Sequence, residues 1–174
     1  FGYFVIQIQT PLPDWLPRRA ALHPDRPALI ADGGAISFAA LNAWADELAV
    51  LLAAAGARPG DRVALLARSI PAYAAAVHAA PRAGVVLVPL NTRLAPAELA
   101  WQLADCGAAL LLHDEAYAEL AAALPGSRLL LNPQPSALNP QPSTLNPQID
   151  LAAPHTIIYT SGTTGRPKGA VLDR

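Results

Sequence analysis

Methionine is absent from the 174-residue chain, cysteine occurs once, and lysine occurs once among 12 basic residues. The single cysteine, Cys106, excludes an internal disulfide framework and a zinc site built from several cysteines, and it suits a reducing compartment. Long apolar runs are also lacking, because His78, Pro81 and Arg82 interrupt the longest candidate, residues 72–90. A membrane-spanning helix needs about 20 apolar residues, so the sequence predicts none.

Charge of either sign is scarce as well: charged residues make up 14% of the chain, and the formal net charge is -1. A nucleic-acid-binding domain usually carries a marked excess of positive charge, so we expect no nucleic acid partner. The hydrophobic share of 53% is high enough for a real core in a chain of ordinary domain length. We expect a globular protein in the cytoplasm, or in a plastid if the parent organism is a photosynthetic eukaryote.

Short apolar runs alternate with helical patterns between residues 12 and 131, and glycine, proline and aspartate separate them. Such alternation predicts an α/β fold: a layered, mostly parallel sheet with flanking helices. Asp14 and Ser37 are placed to cap the first two helices, whereas Pro81 is expected to kink the third or end it early. We expect strands at 28–31, 35–38, 63–67, 85–88, 108–112 and 128–131, and helices at 14–22, 37–56, 71–82, 96–105 and 115–123.

Two segments differ from this body in composition. Residues 1–11 are rich in aromatic residues, isoleucine and glutamine, and they have neither the basic start nor the cleavage site of a signal peptide. Residues 132–148 belong to a tandem repeat of Leu-Asn-Pro-Gln-Pro-Ser, whose paired prolines block a helix and predict a disordered insertion. We therefore divide the chain into a flank at 1–11, an α/β part at 12–131, the insertion at 132–148, and a truncated strand and loop at 149–174.

The residues that carry chemistry follow an apolar run at 156–159. Glycines let consecutive backbone N–H groups face one concavity, hydroxyls add donors, and a lysine supplies a cation for terminal phosphates. The Gly-Lys-Ser/Thr of a P-loop is missing, which disfavours a conventional NTPase or kinase; a plain surface turn is the other interpretation. The predicted phosphate-binding residues are Thr160, Ser161, Gly162, Thr163, Thr164, Gly165, Lys168 and Gly169.

The segment YTSGTTGRPKGAVL, residues 159–172, closely resembles the phosphate-binding motif of the AMP-forming acyl-CoA synthetase (adenylate-forming) superfamily. The body is similar to the N-terminal region of that superfamily at HPDRPAL (23–29), PGDRVA (59–64) and VPLNTRL (88–94). The segment PAELAWQL, residues 96–103, is similar to the 2-succinylbenzoate–CoA ligases of menaquinone and phylloquinone synthesis. The resemblance leaves out only the flank and the repeat.

This resemblance implies an acid–thiol ligase that takes a small carboxylic acid, ATP with Mg²⁺, and coenzyme A. The carboxylate attacks the α-phosphate of ATP to form an acyl-adenylate and pyrophosphate, and the thiol of coenzyme A then displaces AMP. The eight loop residues would hold the triphosphate, with Lys168 screening the departing pyrophosphate.

The chain begins with Phe1 rather than methionine, and we interpret it as an N-terminal piece of such a ligase. The magnesium ligands and the complete catalytic set of the superfamily lie beyond Arg174, so we expect this piece to be inactive alone. The alternative is a non-catalytic relic or interaction domain that uses no nucleotide.

Other polar and aromatic residues have simpler expected roles. Cys106 ends an apolar helix and is expected to be a packed hydrophobe rather than a nucleophile. Arg93 is expected at the surface, and Asp114 is expected to favour the start of a helix through its negative charge. The four histidines show no metal-ligand spacing, and the three tryptophans lie on apolar helix stripes that predict core or interface positions: His23, His78, His113, His155, Trp15, Trp44 and Trp101.

Overall fold

The computed structural model describes residues 14–31, 34–131, 153–160 and 167–173. The flank at 1–11 and the predicted insertion at 132–148 lie outside the described residues. A single 3₁₀ turn, Glu115–Tyr117, precedes the last helix. The elements in chain order are α1 (Trp15–Leu22), β1 (Pro27–Ala31), β2 (Gly34–Ser37), α2 (Phe38–Ala54), β3 (Arg62–Leu66), α3 (Pro71–Arg82), β4 (Val86–Pro89), α4 (Pro96–Cys106), β5 (Ala108–His113), α5 (Ala118–Ala123), β6 (Arg128–Leu130), β7 (Thr156–Thr160) and β8 (Lys168–Leu172).

A six-stranded sheet in the order β6-β5-β3-β4-β7-β8 forms the centre of the fold. Its first five strands are parallel to their neighbours, and β8 pairs with β7 in the antiparallel sense. The strands β1 and β2 form a separate antiparallel hairpin. The predicted α/β class and the flanking helices are confirmed, and the sheet is mixed because the last strand returns as a hairpin.

The central strand β3 is buried on both faces, which divides the core into two layers. Val63 and Leu65 pack in one cluster with the inner faces of α2 and α3. Ala64 and Leu66 pack in the other cluster with residues of α4 and α5. A parallel strand covered on both faces needs apolar residues at every position, and this explains the unbroken run.

The predicted boundaries hold closely, with two differences. The side chains of Asp14 and Ser37 accept hydrogen bonds from the backbone N–H groups of Leu16 and Ala40, so both expected caps are present. The expectation that Pro81 ends α3 early is wrong, because the helix continues to Arg82. A proline in the last turn removes a single helical hydrogen bond, so little is lost there. The helix expected at 115–123 divides into the 3₁₀ turn and α5.

None of the helices in the described part of the chain is long and apolar enough to cross a membrane.

A buried arginine joins the first three helices. The guanidinium of Arg82, in the last turn of α3, donates from Nε to Asp14 Oδ2 at 2.9 Å and from Nη1 to Asp46 Oδ1 at 2.6 Å. It also donates to the backbone O and the side-chain Oδ1 of Asn42, at 2.9 and 2.8 Å. The Arg82 side chain is 0% exposed, and those of Asp14 and Asp46 are 5% and 15% exposed. The planar guanidinium group of α3 thus binds the cap residue of α1 and two residues of α2 at one point.

Asp114 follows β5 and directly precedes the 3₁₀ turn, as expected for a residue near a helix start, and its side chain is buried. Its Oδ2 accepts hydrogen bonds from the backbone N–H of Arg68 at 3.0 Å and from Nε of the same residue at 2.9 Å. Burial alone raises the pKa of Asp114, but these bonds and the nearby guanidinium charge outweigh burial and hold the pKa below its ordinary value. The pair ties the loop after β3 to the end of β5.

The substitution Arg82→Leu should destabilise the chain by about 3–5 kcal/mol, because two buried carboxylates lose their partner. Urea unfolding at neutral pH, followed by circular dichroism, measures this change. Arg18→Leu is the matched control, since Arg18 is exposed on α1 and its replacement should change stability by no more than about 0.5 kcal/mol. Equal effects of the two substitutions would contradict a structural role for the Arg82 cluster.

The substitution Asp114→Asn should cost about 1–3 kcal/mol at pH 7. A carboxyl group with a lowered folded pKa adds stability above its unfolded pKa of about 3.9, and this stability is lost as pH falls through the folded pKa. The difference between the wild type and the variant should therefore shrink below about pH 4. Urea midpoints at a series of pH values measure it, with Asp25→Asn at an exposed position as control. A difference that does not depend on pH would count against the ion pair.

Candidate functional site

The two described ends of the predicted phosphate-binding segment, Thr160 and Lys168, lie at the carboxyl end of the sheet, where the parallel strands end. The strand β7 is rich in β-branched residues and runs parallel to β4, with Thr156 opposite Leu87 in the register. Thr160, the last residue of β7, therefore lies at the same end of the sheet as the last residues of β3, β4 and β5. Ligands of open α/β sheets usually bind at this end.

The two ends of the loop are held side by side by the hairpin. Thr160 and Lys168 are opposite each other in the antiparallel register, and Thr160 Oγ1 donates to the backbone O of Lys168 at 3.4 Å. Both residues are exposed. The chain's single lysine therefore presents its ammonium group to solvent at the carboxyl end of the sheet, where an anion can reach it.

Gly169 has a packing role that the sequence did not reveal. A Cβ atom at this position would lie 2.9 Å from Ile157 Cγ2 and 3.5 Å from Tyr159 Cζ. A contact of 2.9 Å is too short, so only glycine lets the backbone of β8 lie this close to the side chains of β7. The glycine therefore allows β8 to pair closely with β7 immediately after Lys168.

Tyr159, the residue before Thr160, is fixed by α4. Its hydroxyl donates to Asp105 Oδ2 at 2.6 Å, and its ring meets Trp101 edge-on with centroids 6.0 Å apart. Burial, followed by the hydrogen bond to Asp105, raises the pKa of Tyr159, so the hydroxyl remains a donor at neutral pH. Trp101 thus packs where the apolar stripe predicted. Sequence reasoning missed the roles of Tyr159 and Asp105, and the only signal was a tyrosine directly before a glycine-rich loop.

Other side chains share the carboxyl end of the sheet. Arg68 follows β3 and its side chain is 56% exposed, with Nε held by Asp114. Arg93 follows β4 and is exposed, as predicted. Among the described residues, these two guanidinium groups and Lys168 are three exposed cationic side chains at this end of the sheet, an arrangement that suits anionic ligands.

Cys106 and the histidines offer no competing site in the described residues. The thiol of Cys106 is half-buried and lies 3.6 Å from the backbone O of Leu103, and burial raises its pKa, which disfavours a nucleophilic thiolate. His113 is buried, with Nδ1 3.0 Å from the backbone O of Asp114. Within ranges 14–31, 34–131, 153–160 and 167–173, no group of three or more metal-ligating side chains is found.

Three of the eight predicted site residues are described, and the structure brings Thr160, Lys168 and Gly169 together at the base of the loop. The other five lie outside the described residues: Ser161, Gly162, Thr163, Thr164 and Gly165. The hairpin was not predicted; it leaves Lys168 exposed at the carboxyl end of the sheet, beside the end of β7.

Comparison with known proteins supports the family resemblance found in the sequence. Residues 16–174 match the model of the AMP-binding enzyme family. Feruloyl-CoA synthase of an Amycolatopsis species is 44% identical over 161 residues, which cover 92% of this chain and 33% of that protein. O-Succinylbenzoate coenzyme A synthetase (MenE) from Bacillus subtilis in complex with AMP has a TM-score of 0.80 and 34% identity, covering 93% of this chain and 42% of that one. The same enzyme in complex with ATP and magnesium has a TM-score of 0.79 and 32% identity, covering 93% and 43%.

The match extends over almost the whole chain, but the chain spans only 33% of the length of the feruloyl-CoA synthase. Sequence and fold agree on the same group of proteins, and the resemblance of residues 159–172 to the phosphate-binding motif is part of that match. The protein thus belongs to the family of AMP-binding enzymes, the adenylate-forming acyl-CoA ligases.

Proposed function

We propose that the chain is the N-terminal part of an ATP-dependent, AMP-forming acid–thiol ligase and that it supplies the triphosphate-binding loop. The observation that carries this proposal is the hairpin of β7 and β8, which presents Lys168 beside Thr160 at the carboxyl end of the sheet. The reaction joins a carboxylate to the α-phosphate of ATP with loss of pyrophosphate. Coenzyme A then displaces AMP from the acyl-adenylate.

The loop residues act by binding and by neutralising charge. Lys168 places a cation near the β- and γ-phosphates and stabilises the charge that develops on the departing pyrophosphate. Hydroxyl and backbone N–H donors between Thr160 and Lys168 bind the phosphate oxygens, which orients the α-phosphate toward the carboxylate. The proposed site comprises Thr160, Ser161, Gly162, Thr163, Thr164, Gly165, Lys168 and Gly169. The proposed ligands of Mg²⁺ lie outside this chain.

The proposed acid substrate is an aromatic carboxylate. Support comes from the relatives, which include a feruloyl-CoA synthase and several 2-succinylbenzoate–CoA ligases. In our proposal residues 12–131 and 149–174 form the family part of the chain, 132–148 is an insertion, and 1–11 is a flank unrelated to the family. We place the protein in the cytoplasm, and in a plastid if its organism is a photosynthetic eukaryote.

The substitution Lys168→Ala should weaken MgATP binding by about 10- to 100-fold, the loss expected for a charge-assisted contact to phosphate. Isothermal titration calorimetry on the purified chain measures the dissociation constant. Lys168→Arg, which keeps the charge, should lose less, and Arg18→Ala is a control that removes one exposed charge from α1. Affinity that is the same in the wild type and in Lys168→Ala would favour a non-catalytic domain that uses no nucleotide.

The chain alone should bind nucleotide without turning it over, because it spans about a third of the length of its relatives. A coupled pyrophosphate-release assay with ATP, coenzyme A and ferulate or 2-succinylbenzoate should give no signal above a heat-denatured sample. Release of pyrophosphate that depends on acid and enzyme would show that the chain carries a complete catalytic set. Release of orthophosphate without pyrophosphate would point instead to a conventional NTPase.

A further inference from the structure

Tyr159 precedes the glycine-rich segment and contacts two elements near the ends of the loop, helix α4 and strand β8. On one side its hydroxyl donates to Asp105 Oδ2 at 2.6 Å, and its ring packs edge-on against Trp101. The hydroxyl also lies 3.4 Å from the backbone O of Gln102. All three partners belong to α4, so the last turns of this helix hold the residue from which the loop departs.

On the other side Tyr159 contacts the strand by which the loop returns. Gly169 is opposite Tyr159 in the register, and a Cβ atom there would be 3.5 Å from Tyr159 Cζ. The tyrosine ring therefore lies against the backbone of β8 one residue after Lys168. One side chain contacts α4, β7 and β8 at the base of the loop.

The helix that holds Tyr159 is itself tied to the central strand. Arg62, the first residue of β3, donates from Nε to the backbone O of Cys106 at 2.8 Å and from Nη2 to the backbone O of Gly107 at 3.0 Å. These bonds satisfy carbonyl groups at the end of α4, one and two residues after Asp105. Asp105 is thus held in place relative to the sheet, and a hydrogen bond that its carboxylate accepts can position a neighbouring element.

The hairpin needs such a fixed point because its other described attachments are few. The register between β7 and β4 consists of one pair, Leu87 with Thr156, at the start of β7. All five residues of β8 are exposed, so this strand buries little apolar surface. A strand with little burial opens locally at low free-energy cost, and Tyr159 lies at the end of the hairpin where Thr160 and Lys168 must be held.

We propose that Tyr159 and Asp105 are positioning residues for the nucleotide site: their hydrogen bond holds the ends of the loop, and Lys168 above all, in the orientation that binds phosphate. This inference rests on the proposed function. Neither side chain needs to touch the nucleotide, because each acts through the backbone of β7 and β8.

The structural role of the Tyr159–Asp105 hydrogen bond is tested first without nucleotide, by amide hydrogen exchange of the full chain. Tyr159→Phe keeps the ring and removes only the donor, and it should speed exchange of the β8 amides by about fivefold, the effect of losing one ordinary hydrogen bond. Exchange in β3 should not change. Asp105→Leu should behave like Tyr159→Phe, whereas Asp105→Asn keeps an acceptor oxygen and should restore nearly wild-type exchange.

Tyr117→Phe is the matched control, since Tyr117 packs against the same core cluster and its hydroxyl makes no hydrogen bond to β7 or β8 within the described residues. It should leave β8 exchange unchanged. Wild-type exchange rates in Tyr159→Phe, or an equal acceleration in Tyr117→Phe, would show that the Tyr159–Asp105 hydrogen bond does not hold the hairpin. This conclusion would not depend on the result with nucleotide.

The positioning role is tested next with MgATP in a double-mutant cycle. Tyr159→Phe should weaken MgATP binding by about three- to tenfold, and the double variant Tyr159→Phe with Lys168→Ala should lose less than the product of the two single losses. If the losses of MgATP affinity multiply fully in the double variant, Tyr159 does not act through Lys168. A wild-type chain that does not bind MgATP overturns the proposed function and the positioning role together, while the exchange data still decide whether Asp105 anchors the hairpin.

Discussion

Burial of β3 on both faces is the constraint on which the rest of the structure depends. Four consecutive residues of this strand, Val63–Leu66, are each 0% exposed, so helices must cover both sides of the sheet. The helices α2 and α3 cover one face, and α4 and α5 cover the other. With both faces of β3 covered, a ligand can reach the centre of the sheet only from the ends of its strands, and ligands of such sheets usually bind at the carboxyl end, where the loops after β3, β4, β5 and β7 begin. The location of the proposed site is therefore a consequence of core packing.

Three of the arginines and the single lysine illustrate two different uses of positive charge. Arg62, Arg82 and Arg128 bind backbone carbonyl groups on α4, α2 and α5 through planar forks, which an ammonium group cannot reproduce in the same geometry. Each of these residues joins two elements and stabilises the fold. Lys168 is exposed, and the ammonium group on its flexible stem suits the proposed contact to a departing phosphate group. In our proposal this ammonium group binds the ligand and does not join two elements of the fold.

Sequence patterns predicted the elements that depend on local chemistry. The caps at Asp14 and Ser37 and the apolar strands follow from side-chain type and spacing, and they appear where expected. Strand β8 was not predicted, because its five exposed residues carry no burial pattern and its pairing depends on contact with β7. The burial of Asp114 was missed for the same reason: its partner Arg68 lies 46 positions away in the chain. Long-range pairing leaves no periodic trace in a sequence.

The candidate site shows the same division between local and distant causes. Its glycines and hydroxyl residues form a contiguous motif, so the sequence alone indicated their chemistry. What holds the motif in place comes from α4, since Tyr159 reaches Asp105 across 54 positions of the chain. A glycine-rich loop has little intrinsic preference for one conformation, and ordering it costs more conformational entropy than ordering any other kind of loop. In our proposal the site is therefore supported by a helix whose own end is fixed to β3 by Arg62, and phosphate binding depends on Tyr159 and Asp105, which need not contact the phosphate.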